Sequence, residues 1–519
     1  MNVQRKRHIY SYAVLAILLL ELSPMLLAAS GCDGVGNCYV YASATGTGTG
    51  SNWTRAYTGF GTGARQVNPA SMLRGVTYWI AAGNYGSVRF STPASGTLVT
   101  TIKAATTSNH GPATDWNNSY AGQALFSESD LTTSYWNFDG QSRGSDWQTG
   151  YNIKFWNQTH PQGKAFYINA NSTWHNPVVV TDVAFRYVEI EGTNKNFTSS
   201  TSCANGGYCD QGFYIGSPTN NVYIGFCYLH DVGDTQVQAN LNASGTNRLG
   251  DNYLFEYNYF SRNHSGAQSS DNHSEAFSIT ASNLIIRNNY FQDIGSSAVI
   301  TDAAGGNQAF GNWYVYGNAW FWTNANPYPG VGNGFVAFYG QTLSGVVQVY
   351  NNTIANINNA TCSVCNSAAL GIFDGGQGGN RGSPMISVYN NLWWNPYRGS
   401  PTSVASGSYS VTADYNESYG GNFTKQGSHD STTKGNPFTK FNGSGYSYPR
   451  PFESLGFKLT ADTARGLAIS GWSTSPSGCT SGINCFNIDP AGVIRGADGT
   501  IDRGAFQIGS SRTVNAPRT

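Results

Sequence analysis

The sequence predicts an all-β chain wound as a single right-handed parallel β-helix, with an N-terminal cap and long loops on one side. Three observations carry this. A short Asn-centred motif recurs through the middle of the chain, helical periodicity is nearly absent, and strand-like runs such as EAFSIT, NLIIRN and YFQDI are separated by tight polar turns.

The motif is an apolar residue, a variable one, Tyr or Asn, then Asn, then an apolar or aromatic pair. It reads LFEYNYF ending at Phe260, IIRNNYF at Phe291, VYGNAWF at Phe321, QVYNNTI at Ile354 and SVYNNLW at Trp393. Weaker copies are AFRYVEI, IGFCYL and ADYNE. The recurring Asn is Asn258, Asn289, Asn318, Asn352, Asn391 and Asn416, with Val188 and Cys227 in its place in the earlier copies. Successive positions differ by 39, 31, 31, 29, 34, 39 and 25 residues, as expected of one coil carrying insertions of variable length. In a solenoid that advances one strand spacing per coil, identical side chains stack, and a buried Asn at a bend can bond the Asn above and below. A β-propeller would need four antiparallel strands per repeat, and hairpin signals are missing. In the same alignment Arg287 falls over Glu256, predicting an exposed cross-strand ion pair.

Residues 1–30 read as a secretory signal peptide: Arg5, Lys6, Arg7 and His8 precede an apolar run from Ala13 to Leu20, followed by Ala28, Ala29 and Ser30. Glu21 and Pro24 interrupt that run, which is too short to span a bilayer. LAASGC could place a lipid on Cys32, but this would orphan Cys38. Three pairs share one spacing, Cys32 with Cys38, Cys203 with Cys209 and Cys479 with Cys485, and Cys362 with Cys365 is a tighter fourth, all read as disulfides of an oxidising compartment. Zinc is the rival for CSVC, without a second ligand pair nearby in sequence. Cys227 lies in an apolar strand and reads as a buried thiol. Residues 31–157 form the cap and first coils, 158–430 the central coils, and 431–519 the last coils and closing segment. Charged residues are 11% of the chain and the formal net charge is zero, which excludes a nucleic-acid footprint and a polybasic membrane patch.

The opening CYVYASATGTGTGSNWTRAY, YWIAAGNYG and TTIKAAT, and the closing NIDPAGVIRGADGTIDRGAFQ with Asp489, Gly492, Arg495, Asp502, Gly504 and Phe506, resemble the two ends of secreted bacterial pectin-lyase-like β-helix proteins. With the coils, the resemblance spans nearly the whole mature chain. It implies the fold and a class that includes polysaccharide lyases, glycoside hydrolases, esterases and non-enzymatic surface proteins. It also implies a substrate groove floored by the strand beside the longest turn. Long insertions at 191–210, 230–251 and 261–274 are expected at one corner, walling one concave surface.

The segment DNHSEAFSIT opens such a strand. Alternation puts His273, Glu275, Phe277 and Ile279 on one face; with Phe277 and Ile279 inward, the strand is expected to begin near Ala276 and leave His273 and Glu275 at the groove rim. Asp271, Asn272, His273 and Ser274 suit a polar turn equally well. This coil resembles the catalytic coil of the alginate lyase and chondroitinase B family: Glu275 and Ser278 match, but the family's Lys position is Thr280, its first calcium carboxylate is His273, and its Arg-His falls near Ile300 and Thr301. For an elimination, His273 is the candidate base, with Arg248, or a calcium ion at Asp271 and Glu275, holding the uronate carboxylate. For a hydrolysis, Glu275 and Asp302 are the candidate carboxylate pair, with Asp251 and Asp210 in reserve. Trp313 and Tyr328 are candidate sugar platforms and Asp251 a candidate substrate contact, whereas Trp320 and Phe321 read as core. The expectation is a secreted, monomeric protein with a polysaccharide partner, degrading it as a lyase or hydrolase. The alternative is a non-catalytic glycan-binding surface or matrix protein.

Overall fold

The computed structural model describes residues 32–157, 163–171, 178–193, 210–216, 218–239, 250–263, 274–301, 310–323, 334–339, 343–357, 367–373, 384–404, 409–443, 456–460, 488–493, 495 and 501–508. The chain is a parallel β-helix with three faces. The first face is a 12-stranded sheet that starts at Asn37–Val40 and ends at Val411–Asp414, and every neighbouring pair in it is parallel. The other sheet divides into two runs. The second face includes Ile153–Trp156, Val188–Glu191, Tyr228–His230, Tyr259–Asn263, Tyr290–Ile294 and Ala319–Phe321. The third includes Lys164–Ile168, Gln211–Ile215, Val237–Ala239, Phe277–Ile279, Val299–Ile300 and Val336–Tyr339. Ala124–Leu131 bends across the corner and pairs with both runs.

The turn from the first face to the second explains the motif. Its residue before the ladder position is left-handed: Tyr187, Phe226, Tyr257, Asn288, Gly317, Asn351, Asn390 and Tyr415 all have φ between 51° and 69°. That conformation disfavours most side chains, so a stabilising partner is needed beside it. The ladder Asn provides it. Asn258 N–H donates to Asn289 Oδ1 at 2.9 Å, and the same bond repeats from Asn289 to Asn318, Asn318 to Asn352, Asn352 to Asn391 and Asn391 to Asn416. Each Nδ2 also reaches a backbone carbonyl of the preceding coil, such as Ile224 O, Phe255 O and Ile286 O. Asp430 Oδ1 takes Asn416 N–H at 2.8 Å and ends the ladder. At its other end Cys227 is a free, buried thiol, which burial pushes up to about 12.

The interior holds alternate residues of every strand, Phe185, Phe213, Phe255, Phe260, Phe277, Phe291 and Val315 among them. Trp320 lies in this core. So does Trp313: it aligns with Leu284 and Val347, is 0% exposed, and donates Nε1–H to Ala281 O at 2.7 Å. It is therefore a core residue and no sugar platform, because the register of its strand points it inward.

A second apolar layer covers the outside of the second face. Tyr228, Tyr259, Tyr290, Phe321 and Leu392 share this layer with Trp147, Tyr151, Phe438, Phe441, Phe457 and Phe506: the loop at Trp147 and Tyr151 covers Tyr228 and Tyr290, and the closing segment covers Tyr290 and Phe321. The same segment reaches the end of the first face, where Asn288 Nδ2 donates to Ile488 O. Glu256 and Arg287 do pair, at 2.6 Å, but at 8% and 3% exposure the pair is buried rather than exposed. Tyr223 Oη donates to Glu256 Oε1 and Arg287 Nη1 to Tyr316 Oη, supplying the hydrogen bonds a buried pair requires.

The insertions do not all join the same pair of faces, so they do not share one corner of the chain path. Segments 194–209 and 264–273 lead from the second face to the third, whereas 240–249 leads from the third to the first. The coil at His230 has already crossed to the third face through a short turn, in which Gln236 Nε2 donates to Leu229 O and Ser261 O, before its insertion begins.

Candidate functional site

Unlike the second face, the third face has no second apolar layer among the described residues. Phe166, Ile168, Phe213 and Ile215 point into the core, so Tyr167 and Tyr214 between them point out. The register puts Asp130, Tyr167, Tyr214, Gln238 and Ser278 in one outward row along the helix axis. The two tyrosine rings meet edge to face, with centroids 4.8 Å apart, and both are partly buried.

Lys164, at the start of its strand, leans over this pair, its Nζ 4.9 Å from the Tyr214 ring centroid and 5.8 Å from that of Tyr167. Burial pushes its ammonium below the ordinary lysine range, against the opposing pull of Asp234 and Glu128. The turn before it needs glycine: a Cβ on Gly163 would lie 2.8 Å from Asn157 Nδ2 and 2.9 Å from Glu128 Oε1. Beside Lys164, Gln211 Nε2 donates to Asp234 Oδ2 at 3.2 Å and to Gln238 Oε1. Burial likewise raises both phenols, Tyr167 to about 12, so an amine biased toward neutrality leans over the row beside firmly protonated hydroxyls.

A charged network occupies the corner between the second and third faces. Lys154 contacts Glu189 at 2.8 Å and also Glu191. His230 lies 3.2 Å from Glu189 through Nε2 and 2.6 Å from Asp231 through Nδ1, and Arg262 clasps Asp231 with two bonds of 2.5 Å. Burial opposes every charge here, and the partners outweigh it: Glu189 is held down to about 2, Asp231 is lowered, and His230 and Arg262 are raised. These charges satisfy one another, which suits a strut between coils better than a reacting site. Two carboxyls at the same corner behave differently. Burial lifts Asp210 to about 6 and Asp293 to about 7, while Thr193 and Gly233 amides bond the first and Thr323 the second.

Of the residues expected from sequence, Asp271, His273, Asp302, Arg248 and Tyr328 lie outside the described residues, as do residues 1–31 and Cys203, Cys209, Cys362, Cys365, Cys479 and Cys485. Cys32 and Cys38 form a disulfide. Glu275 is 4% exposed, so it sits inside rather than at the groove rim; Ser296 Oγ lies 3.1 Å from its Oε1, and its backbone carbonyl accepts from Asn263 Nδ2. The strand begins one residue later than expected, at Phe277. Asp251 belongs to the first face, where its Oδ1 accepts from Asn283 Nδ2 at 2.6 Å. Among the described residues no group of three or more His, Cys, Asp or Glu is gathered to hold a metal ion, and no helix is long and apolar enough to cross a membrane. Sequence reasoning missed Lys164, Tyr167 and Tyr214. A usable signal was present in KAFYI and QGFYI, two strands with the same aromatic pair at the same parity.

These features describe a parallel β-helix protein with a cation and two partly buried tyrosines on the outside of its third face. No described protein family and no curated protein matches the sequence. Solved structures align with it at low scores. A pectate lyase, Pel9A, aligns over 92% of this chain and 99% of its own, at 12% identity and a TM-score of 0.43. A mannuronic acid specific polysaccharide family 6 lyase from human gut microbiota aligns over 70% of this chain and 78% of its own, at 14% identity and a TM-score of 0.39. An endopolygalacturonase I from Stereum purpureum aligns over 69% and 94%, at 14% and 0.23. The parallel β-helix rests on this chain's own parallel register, and the chemistry has to be argued from its residues.

Proposed function

We propose that the protein is a carbohydrate-active enzyme that binds a uronate-bearing polysaccharide along its third face and cleaves it by β-elimination, with Lys164 as the base. The observation that carries this reading is the Lys164 amine, destabilised in its charged form and held over Tyr167 and Tyr214 on the open face. Elimination needs a base for the proton at C5, a hydrogen-bond donor for the carboxylate and a proton for the departing oxygen. The neutral amine takes the C5 proton, the C5–H electron pair becomes the C4–C5 double bond, and the C4–O bond breaks. A tyrosine hydroxyl protonates the leaving oxygen, and the Lys164 ammonium returns the proton through solvent. Gln238 Nε2 lies in the same row as a donor for the carboxylate. The tyrosine faces add the apolar surface a pyranose ring stacks against. No step uses a metal ion.

The segment that carries Asp271 and His273 leads into Phe277–Ile279 of this same face. A carboxylate-pair hydrolysis through Glu275 is disfavoured, because that side chain is buried against Ser296. The test is to incubate the protein with polymannuronate, polyguluronate and polygalacturonate, with and without calcium, following ultraviolet absorbance of unsaturated ends and released reducing sugar. Lys164→Ala is expected to lose about 10²- to 10⁴-fold in rate with its melting temperature little changed. Reducing ends without absorbance would mean hydrolysis and remove Lys164 from its role. Binding without cleavage would make the protein a glycan-binding solenoid.

A further inference from the structure

The outward row of the third face continues past Asp130. Gly83–Phe90 pairs with Ala124–Leu131, and its register sets Arg89 against Asp130, hence in line with Tyr167 and Tyr214. Val88 and Phe90 are buried, so Arg89 points outward, and its side chain is 55% exposed. At about 4.8 Å per strand, its backbone stands about 10 Å from Tyr167 and about 14 Å from Tyr214 along the axis. Arg89 Nε lies 3.3 Å from Asp130 Oδ1, and Nη2 donates to Asn171 Oδ1 at 2.9 Å. These contacts orient the guanidinium and use only part of its five donors. Burial raises the Asp130 carboxyl, against the pull of Arg89, so this partner is itself a reluctant anion.

We infer that Arg89 is a distal subsite of the third face, binding the carboxylate of a uronate residue held beyond the tyrosine pair and so setting the chain length the site prefers. The inference rests on the uronate reading of this face and adds a direction to it: the polysaccharide lies along the helix axis, crossing successive coils from Gln238 through Tyr214 and Tyr167 to Arg89. A bare surface ion pair with Asp130 would contribute little to stability and nothing to ligand binding. A planar fork oriented by Asn171 at the end of a tyrosine row is suited to a carboxylate.

The experiment uses the full-length chain carrying Lys164→Ala, so that ligands survive, and measures by calorimetry the affinity for uronate oligomers from two to eight residues. Adding Arg89→Ala should weaken the longest oligomers by about tenfold more than the dimer, the worth of one charge-assisted bond. The salt dependence of long-oligomer binding should flatten in Arg89→Ala, and Arg89→Lys, which keeps the charge, should recover part of both effects. An equal loss at every length, or none at the longest, would overturn the subsite while leaving the uronate reading intact. Failure of every uronate oligomer to bind, with Arg89 present or absent, would overturn both.

Discussion

The second and third faces come from the same coils, yet they have been used in opposite ways. Tyr228, Tyr259 and Tyr290 on the second face and Tyr167 and Tyr214 on the third are all outward tyrosines. The first three are 3%, 1% and 0% exposed: Tyr228 packs against Tyr151, Tyr259 between Tyr228 and Tyr290, and Tyr290 against Trp147 and Phe506, which returns from the end of the chain. The last two remain partly exposed under Lys164. A stacked coil makes rows of outward side chains on every face; a row becomes a second core where the chain covers it and stays accessible to a ligand where it does not. The difference predicts that second-face changes act on stability and third-face changes on ligand and rate.

The sharpest break should come from Phe457→Ala. Its ring centroid lies 4.8 Å from Phe321 and 4.6 Å from Phe441 at 2% exposure, and its loss should cost about 3–5 kcal/mol in denaturant unfolding without altering the rate per folded molecule. A large rate effect with little loss of stability would erase the contrast between the faces. Next is Asn318→Ala, inside the turn that both faces share. It orphans the Asn289 amide and the Ile286 carbonyl at about 1–3 kcal/mol for each buried group, and hydrogen exchange should quicken in the coils on either side of it.

A smaller effect concerns pH. Burial raises Asp293 to about 7 from an unfolded value of about 3.9, so its contribution is fully present below pH 4 and is lost as pH rises toward 7. Asp293→Asn should flatten the fall of melting temperature over that window, and an unchanged profile would remove Asp293 as its source. The smallest effect is a gain. Cys227 N–H already donates to Asn258 Oδ1, and its Sγ lies 3.7 Å from Phe185 O, where a ladder amide would donate. Cys227→Asn should lengthen the ladder and add about 0.5–1.5 kcal/mol, measured by chemical denaturation.

Much of the fold was readable in the chain. A ladder requires the same side chain at the same place in every coil, so Asn258 through Asn416 announced it directly. The register that set Arg287 over Glu256 was also legible, but the burial of that pair was not, since Tyr223 and Tyr316, which close around it, come from the coils on either side. Trp313 shows a signal left unread: its alignment with Leu284 is enough to send it inward. The site was mostly illegible. Lys164 matches no motif, and its neighbours Tyr214, Asp234 and Gln238 belong to the next two coils.

The sequence by itself determined the β-helix, because strand alternation and the Asn motif are local patterns whose consequences repeat with every coil. Tertiary structure alone decided which face stays open and what surrounds Lys164. Covering a face requires the chain's end to return across the earlier coils, and biasing an amine toward neutrality requires groups from separate coils to exclude water around it. Both depend on contacts between residues far apart in the chain, which no local pattern encodes.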